Sequence, residues 1–138
     1  MPYGHLTDYA TIETSGKLIM AGLFEIVYAP SADAEVVGAL FSLVARLECS
    51  IADGLEHEIK IRFVDGEEEQ VGDEITIGVH TFTPTGPGRP YAANVMARFA
   101  GLQIRGVDDY RFVIIVDNRP VGAIPLYVQL APEVPGGT

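Results

Sequence analysis

The chain lacks tryptophan, has a single cysteine and is poor in basic residues, and each shortage excludes something. With Cys49 alone, no disulfide can form within one copy, so an apolar core must hold the fold together. Nine Lys and Arg residues stand against 19 Asp and Glu, which gives a formal net charge of −10. Such a surface repels nucleic-acid phosphates and anionic membranes, and the basic residues form no run. We therefore expect no nucleic-acid partner.

Long hydrophobic runs are also missing. No apolar stretch approaches the roughly 20 residues that a membrane-spanning helix needs, and no basic region followed by an apolar core opens the chain. We expect a soluble, cytoplasmic protein without a membrane partner, with leaderless export as the alternative. Apolar residues, by contrast, fill 48% of the 138 positions, which is enough for a single domain over residues 1–138.

Short apolar, β-branched runs alternate with turn residues along most of the chain. The clearest case is Asp108–Val116, followed by the turn pair Asp117-Asn118 and a second run over Val121–Leu130, which together predict a hairpin. The pattern predicts an all-β fold, an antiparallel β-sandwich of about eight strands, either Ig-like or jelly-roll-like. Residues 1–6 and 132–138 are predicted to be flexible. The predicted strands are Thr7–Thr14, Lys17–Tyr28, Ala39–Ser50, Glu56–Val64, Ile75–Phe82, Ala92–Ile104, Asp108–Val116 and Val121–Leu130.

One segment is ambiguous between helix and strand. Residues from Asp33 to Leu47 have polar positions at helical spacing, and a short helix within 31–38 is compatible with them. Read as a strand, the same segment places Phe41 and Leu43 on one face and Arg46 on the other. We favour a strand over Ala39–Ser50, because the strand predicted at Glu56–Val64 alternates cleanly and would pair with it.

Several short motifs resemble those of a family of small bacterial proteins of unknown function. The resemblance covers most of the chain, and its motifs are turns, glycine positions and strand alternation. It implies a single-domain β-sandwich and brings no catalytic residues with it. The motifs are Asp8-Tyr9-Ala10, Gly16-Lys17-Leu18, Gly22-Leu23-Phe24, Ala29-Pro30, Arg46-Leu47-Glu48, the strand that begins at His57, Tyr110-Arg111-Phe112, Val116-Asp117 and Ile124-Pro125-Leu126-Tyr127-Val128.

The acidic segment between residues 65 and 74 is the candidate metal site. Calcium takes clustered oxygen ligands, and Asp65, Glu67, Glu69 and Asp73 supply carboxylates at close spacing. The spacing does not match an EF-hand loop, and the alternative is a solvated turn between strands. Loops at one end of the sandwich, together with exposed tyrosines, leave a calcium-, carbohydrate- or small-ligand-binding module as the alternative function.

The residues that could carry catalysis do not form a recognisable motif. His57 shares the parity of Ile59 and is predicted to end an inward face, while Cys49 shares the parity of Leu47 and is predicted to be a buried thiol. There is no nucleophile elbow, phosphate loop or dinucleotide fingerprint. Tyr110 opens a strand at core parity, as in a tyrosine corner. We expect no enzyme activity, no catalytic residue and no cofactor.

The remaining signal is an excess of hydrophobic surface. The strands Lys17–Val27, Tyr110–Val116 and Val121–Leu130 are apolar on both faces, whereas the outer face of a sandwich should be polar. A second copy of the chain would cover the extra face most simply, and a crossing loop is the alternative. We therefore predict a non-enzymatic interaction and assembly module, a homo-oligomer to which another protein partner could also bind. The predicted interface residues are Val113, Ile115, Ile124, Leu126 and Val128, with Arg111 and Arg119 at the rim.

Overall fold

The computed structural model of the chain describes residues 3–12, 18–24, 26–29, 35–37 and 41–130, and nearly all of its regular structure is β. A single 3-10 turn, η1, covers Ile51–Asp53, and the described residues contain no α-helix. The strands are β1 (Tyr3–Ile12), β2 (Leu18–Phe24), β3 (Ile26–Ala29), β4 (Glu35–Val37), β5 (Phe41–Cys49), β6 (Glu56–Val64), β7 (Ile75–Thr81), β8 (Thr83–Pro84), β9 (Tyr91–Phe99), β10 (Gln103–Arg105), β11 (Asp108–Val116) and β12 (Arg119–Leu130).

Two sheets pack face to face around one core. The first has the strand order β2-β1-β5-β9-β8 and the second the order β3-β12-β11-β6-β7, with β10 and β4 forming a separate ladder. Phe112 of the second sheet is fully buried, and its ring centroid lies 6.1 Å from that of Phe41 and 5.1 Å from that of Phe99 in the first sheet. This contact between the sheets confirms the predicted all-β sandwich.

Strand β6 shows how alternation decides the burial. Ile59, Ile61 and Phe63 are almost completely buried, while Lys60 and Arg62 stay accessible on the opposite face. The period of two places every second side chain on the same face, so the apolar set packs into the core. The bounds Glu56–Val64 are those that the sequence predicts.

The tyrosine corner predicted at the start of β11 is present. Tyr110 is 3% exposed, and its hydroxyl donates a hydrogen bond of 3.2 Å to the carbonyl oxygen of Gly106. Its ring stacks on Phe63 of the neighbouring strand with a centroid separation of 5.1 Å. The side chain therefore joins the turn before β11 to the core, which is the role of such a tyrosine in sandwich folds.

The segment that allowed two interpretations is extended. β5 covers Phe41–Cys49, which confirms the strand interpretation, and β4 occupies Glu35–Val37, where a helix within 31–38 was the alternative. β4 pairs with β10, so its backbone groups are satisfied in a ladder and not by a helical turn. The rest of 31–38 lies outside the described residues.

Other differences follow from pairing between distant segments. β1 begins at Tyr3, within the segment 1–6 that was expected to be flexible, and pairs with β5, while 132–138 lie outside the described residues. β12 and β3 are parallel, so the second sheet is mixed and not purely antiparallel. The long strand predicted over Ala92–Ile104 ends at Phe99, because Gly101 takes φ 70° and turns the chain before β10.

Candidate functional site

The predicted interface residues divide between the two faces of the second sheet. Ile124, Leu126 and Val128 are 5%, 1% and 1% exposed and belong to the core. Residues opposite each other in a ladder share a face, and Ile124 lies opposite Phe112 while Leu126 lies opposite Tyr110. Placing these three residues of β12 at an exposed interface was therefore wrong.

Val113 and Ile115 lie outside that core. Val113 is half-buried and lies opposite Ala123, whereas Ile115 lies opposite Lys60 and is only 4% exposed. A register shift between Ile114 and Ile115 marks a β-bulge, and both side chains are buried at it. Of Val113 and Ile115, Val113 is therefore the accessible residue, and Ile115 could not contact a partner unless the sheet around it rearranged.

A group of accessible apolar side chains lies on the outer face of β3, β12 and β11, apart from the exposed Val79 at the β7 edge of the same sheet. Ile26 and Tyr28 of β3 are 37% and 54% exposed, and Ile26 lies opposite Tyr127 of β12. Side chains of β12 and the side chain of Val113 of β11 lie next to them on the same face. We name this set the outer-face patch: Ile26, Tyr28, Val113, Ala123, Pro125 and Tyr127.

Sequence analysis missed five of the six patch residues as interface candidates, all except Val113. Alternation places Pro125 and Tyr127 on one face of the strand and Ile124 and Leu126 on the other. Both sets are apolar, so alternation cannot say which set faces the core. Ile26 and Tyr28 join the patch because β3 pairs with β12 across about a hundred residues of chain. That pairing leaves no local signal in the sequence.

Charged side chains lie next to the patch on the same sheet. Arg111 donates to Glu68 at 2.8 Å, and Arg62 donates to Glu74 at 2.8 Å, whereas Asp109, opposite Tyr127, forms no ion pair with another described residue. Arg111 and Val113, together with Arg62, Val64, Glu68, Pro120, Gly122 and Ala123, line a shallow depression of about 430 Å³. Arg111 thus lies beside the patch, whereas Arg119 lines a separate cavity at one end of the sandwich.

The acidic segment forms a turn closed by its own hydrogen bonds. Asp65 Oδ1 accepts from the backbone N–H groups of Glu67 and Glu69 at 2.9 and 3.0 Å, and Glu68 adopts a positive φ of 66°. Asp73 is exposed. Within the described ranges, no group of three or more His, Cys, Asp or Glu side chains is placed to hold a metal ion. The hydrogen bonds that close this turn therefore join groups of the same chain.

The cavity at the end of the sandwich, which we call the end cavity, has a volume of about 400 Å³. Its rim includes η1 and the β11–β12 turn, where Asp117 and Asn118 take φ values of 49° and 67°. Two successive positive φ values are typical of the type I′ turn that connects hairpin strands. The lining residues are Leu47, Glu48, Cys49, Asp53, His57, Phe82, Val116, Asp117, Arg119 and Val121.

His57 ties together the two turns beside the end cavity. Its Nδ1 lies 2.5 Å from Asp117 Oδ2, and its Nε2 lies 3.0 Å from the carbonyl oxygen of Gly54. Both partners are acceptors, so both ring nitrogens must carry hydrogen, and the geometry is that of an imidazolium. The hydrogen bond to Asp117 is the largest cause that raises the pKa of His57 above its usual value, and the same bond lowers the pKa of Asp117.

Cys49 also lines the end cavity but is not activated as a nucleophile. Burial and then the charge of Asp53 raise the pKa of the Cys49 thiol, which lowers the fraction of reactive thiolate. Its Sγ lies 3.7 Å from Gly54 O, and among the described residues no hydrogen bond joins it to His57. Because both nitrogens of His57 are already engaged, the arrangement serves to order the turn.

In the described part of the chain, no helix has the length and apolarity needed to cross a membrane.

Comparison with known proteins identifies the family. No curated protein matches the chain. The model of a family of unknown function (DUF6941) matches residues 3–129, which span every strand of both sheets except the last residue of β12. The chain therefore belongs to this family of unknown function.

Proposed function

We propose that the protein is a non-enzymatic assembly module of the bacterial cytoplasm that self-associates through the outer-face patch. The observation that supports this most strongly is the exposure of Ile26 and Tyr28 next to Tyr127 and Val113. The outer face of a sandwich is normally polar, and clustered exposed apolar side chains are typical of interaction sites. An unpaired Cys49 with a raised pKa is compatible with a reducing compartment.

A second copy is the occupant we favour because the charges on this face are balanced. The chain carries a net charge of −10, so two copies repel each other over most of their surfaces. Beside the patch, however, Glu68 and Glu74 each have a basic partner within 4 Å, and Asp109 is the one carboxylate opposite a patch residue without an ion pair among the described residues. This face can therefore approach its own copy with less repulsion than an unpaired acidic surface.

The expected geometry is a symmetric dimer with the patch at its centre. A two-fold axis places the same surface of both copies in contact, so one apolar patch is sufficient. A stable interface buries about 800 Å² on each partner, and apolar burial contributes about 25 cal/mol per Å² before the costs of association. The six patch residues would form the core of such an interface, and the adjoining depression with Arg111 would form part of its rim.

Light scattering on three variants tests this proposal. Tyr28→Lys and Tyr127→Lys place a charge in the patch, whereas Val79→Lys places it on β7, at the other edge of the same sheet. Tyr28 and Val79 are both strongly exposed, so neither lysine has to be buried in the monomer. We expect a dimer for the wild-type chain and for Val79→Lys, and a folded monomer for the two patch variants.

Two results would overturn the proposal. One is a wild-type chain that stays monomeric at about 1 mM, where even a weak interface with a millimolar Kd would be populated. The other is a dimer that persists in both patch variants but dissociates in Val79→Lys, which would place the interface at the β7 edge. Circular dichroism of each variant establishes that the fold is retained.

The end cavity supports a second proposal, the binding of a small ligand. Its volume of about 400 Å³ lies within the range of ligand pockets, and Leu47, Phe82 and Val121 give it an apolar lining next to charged groups of both signs. The probe is anilinonaphthalene sulfonate, whose apolar body matches the apolar lining. We expect saturable fluorescence that is lost in Val121→Asp and kept in Val107→Asp, since both valines are 41% exposed. Equal binding by the two variants would exclude the end cavity.

A further inference from the structure

A separate cavity of about 240 Å³ lies where the chain passes from one sheet to the other. β7 belongs to the second sheet and β8 to the first, and His80 and Thr83 flank the crossing at Phe82. Side chains of β5 and β9 complete the cavity, which we call the crossing cavity. Its lining residues are Arg46, His80, Thr81, Thr83, Thr85, Ala92, Ala93 and Asn94.

The lining of the crossing cavity differs in charge from the chain as a whole. The chain has 19 carboxylate side chains and a net charge of −10, yet none of the lining residues is acidic. Arg46 supplies a guanidinium, while His80, Asn94 and the threonines supply further polar groups. A cavity rich in donors and free of carboxylates favours an anionic ligand.

Several of these polar groups have no partner within the described chain. The Nδ1 atom of His80 is buried and forms no hydrogen bond, and a buried polar atom without a partner costs free energy. The Arg46 guanidinium contacts Glu48 through Nε at 3.4 Å, and no hydrogen bond between described residues uses its terminal nitrogens. Thr83 and Thr85 are different, because their hydroxyls already donate to the carbonyl oxygens of Ala92 at 3.5 Å and of Pro90 at 2.7 Å.

We infer that the crossing cavity binds a small oxyanion, a carboxylate or a phosphate group. The Arg46 guanidinium supplies the charge, and the His80 imidazole donates from Nδ1 when that nitrogen carries the hydrogen. The Asn94 amide can donate as well. The volume is below the roughly 300 Å³ at which pockets for larger organic ligands begin, so the ligand is a small ion or the acidic end of a larger molecule.

Nuclear magnetic resonance titration of the full chain tests the inference. Inorganic phosphate and acetate are added in separate experiments at constant ionic strength, while the backbone amides of Thr81, Thr83, Ala93 and Asn94 are followed. We expect saturable shifts at these amides with a Kd in the millimolar range, and the tighter of the two ions identifies the phosphate or carboxylate class.

The variants separate specific binding from general charge effects. Arg46→Gln and His80→Leu should each weaken binding by about tenfold or more, because each removes one donor to a charged ligand. His80→Asn should retain most of the affinity, since its amide reaches the position of Nδ1. Arg98→Gln is the matched control, because Arg98 is exposed on β9, the strand of Asn94, and does not line the cavity.

The inference fails if the shifts stay linear up to about 50 mM of both ions, or if Arg46→Gln binds as the wild type does. It also fails if Arg98→Gln weakens binding as much as Arg46→Gln, since net charge would then explain the effect. Tyr28→Lys, the monomer variant of the proposed assembly, should bind the ions with unchanged affinity. Anion binding and self-association can therefore fail independently.

Discussion

The hydrogen bond between His57 and Asp117 predicts how stability depends on pH, and Asp117→Asn is the perturbation that isolates it. Asparagine tolerates the positive φ of 49° at this position. It also keeps a side-chain oxygen that can accept the hydrogen bond from the N–H of Glu58, which in the wild type goes to Asp117 Oδ1 at 3.0 Å. The substitution replaces Asp117 Oδ2, the acceptor 2.5 Å from His57 Nδ1, by an amide NH2 group, which is a donor. The change in stability therefore reports the loss of the charge-assisted bond together with the loss of an acceptor for the Nδ1 hydrogen.

The expected magnitude follows from the exposure of the pair. Hydrogen bonds to charged groups contribute about 1.5–3 kcal/mol when buried. The Asp117 side chain is 54% exposed, so solvent screening reduces this to about 1 kcal/mol. In a chain of 138 residues a loss of that size lowers the Tm by about 3–5 °C.

The direction of each pKa shift determines the pH range. Because folding raises the pKa of His57 above 6.5, its contribution is complete below pH 6.5 and is lost as pH rises through the folded pKa. Because folding lowers the pKa of Asp117 below 3.8, its contribution is present above pH 3.8 and is lost as pH falls through the folded pKa. The Tm difference between the wild type and Asp117→Asn should therefore be largest between about pH 4 and 6.5.

Thermal unfolding at pH 5.5 and pH 8.5 measures the difference, and an NMR titration of the His57 ring measures its pKa. We expect a gap of several degrees at pH 5.5 that shrinks at pH 8.5, and a His57 pKa above 6.5 that falls toward 6.5 in Asp117→Asn. A gap independent of pH, or a wild-type pKa at or below 6.5, would refute the imidazolium assignment.

Three further stability predictions follow from the packing. Leu126→Ala should destabilise the fold by about 2–5 kcal/mol in a denaturant titration, because the side chain is 1% exposed in the core; a loss below 1 kcal/mol would contradict its placement. Tyr110→Phe should cost about 0.5–1.5 kcal/mol, because it leaves the carbonyl of Gly106 without its hydroxyl donor. Glu68→Gln should change stability by less than about 1 kcal/mol, because its bond to Arg111 is on the surface; a larger loss would show that the pair holds the turn.

Much of the strand layout could be predicted because its causes are local. The β6 bounds, the inward position of His57, the hairpin turn at Asp117-Asn118 and the Tyr110 corner all follow from period-two alternation and turn chemistry. β5 is also a strand as predicted, although it pairs with β1 and β9 and not with the strand Glu56–Val64, whose expected pairing favoured this interpretation. Each of these features depends on residues a few positions apart, which a single sequence displays.

The candidate sites depend on contacts between residues far apart in the chain. Alternation alone placed Ile124, Leu126 and Val128 at the interface, whereas they belong to the core. His57 and Asp117 are 60 residues apart, and no local pattern predicts their hydrogen bond. The crossing cavity combines β5, β7, β8 and β9, so its donors meet only after both sheets have formed.

The sequence by itself determined the bounds of β6 and β11, the hairpin turn between β11 and β12, and that β11 and β12 are apolar on both faces. It did not show that the predicted strand Lys17–Tyr28 divides into β2 and β3 of different sheets. Only the tertiary structure decided that Ile124 and Leu126 face the core while Pro125 and Tyr127 face outward. The physical reason is that both sets of side chains gain from burial. The register with β11 and the opposing sheet, including Phe41 and other distant residues, select which set is buried.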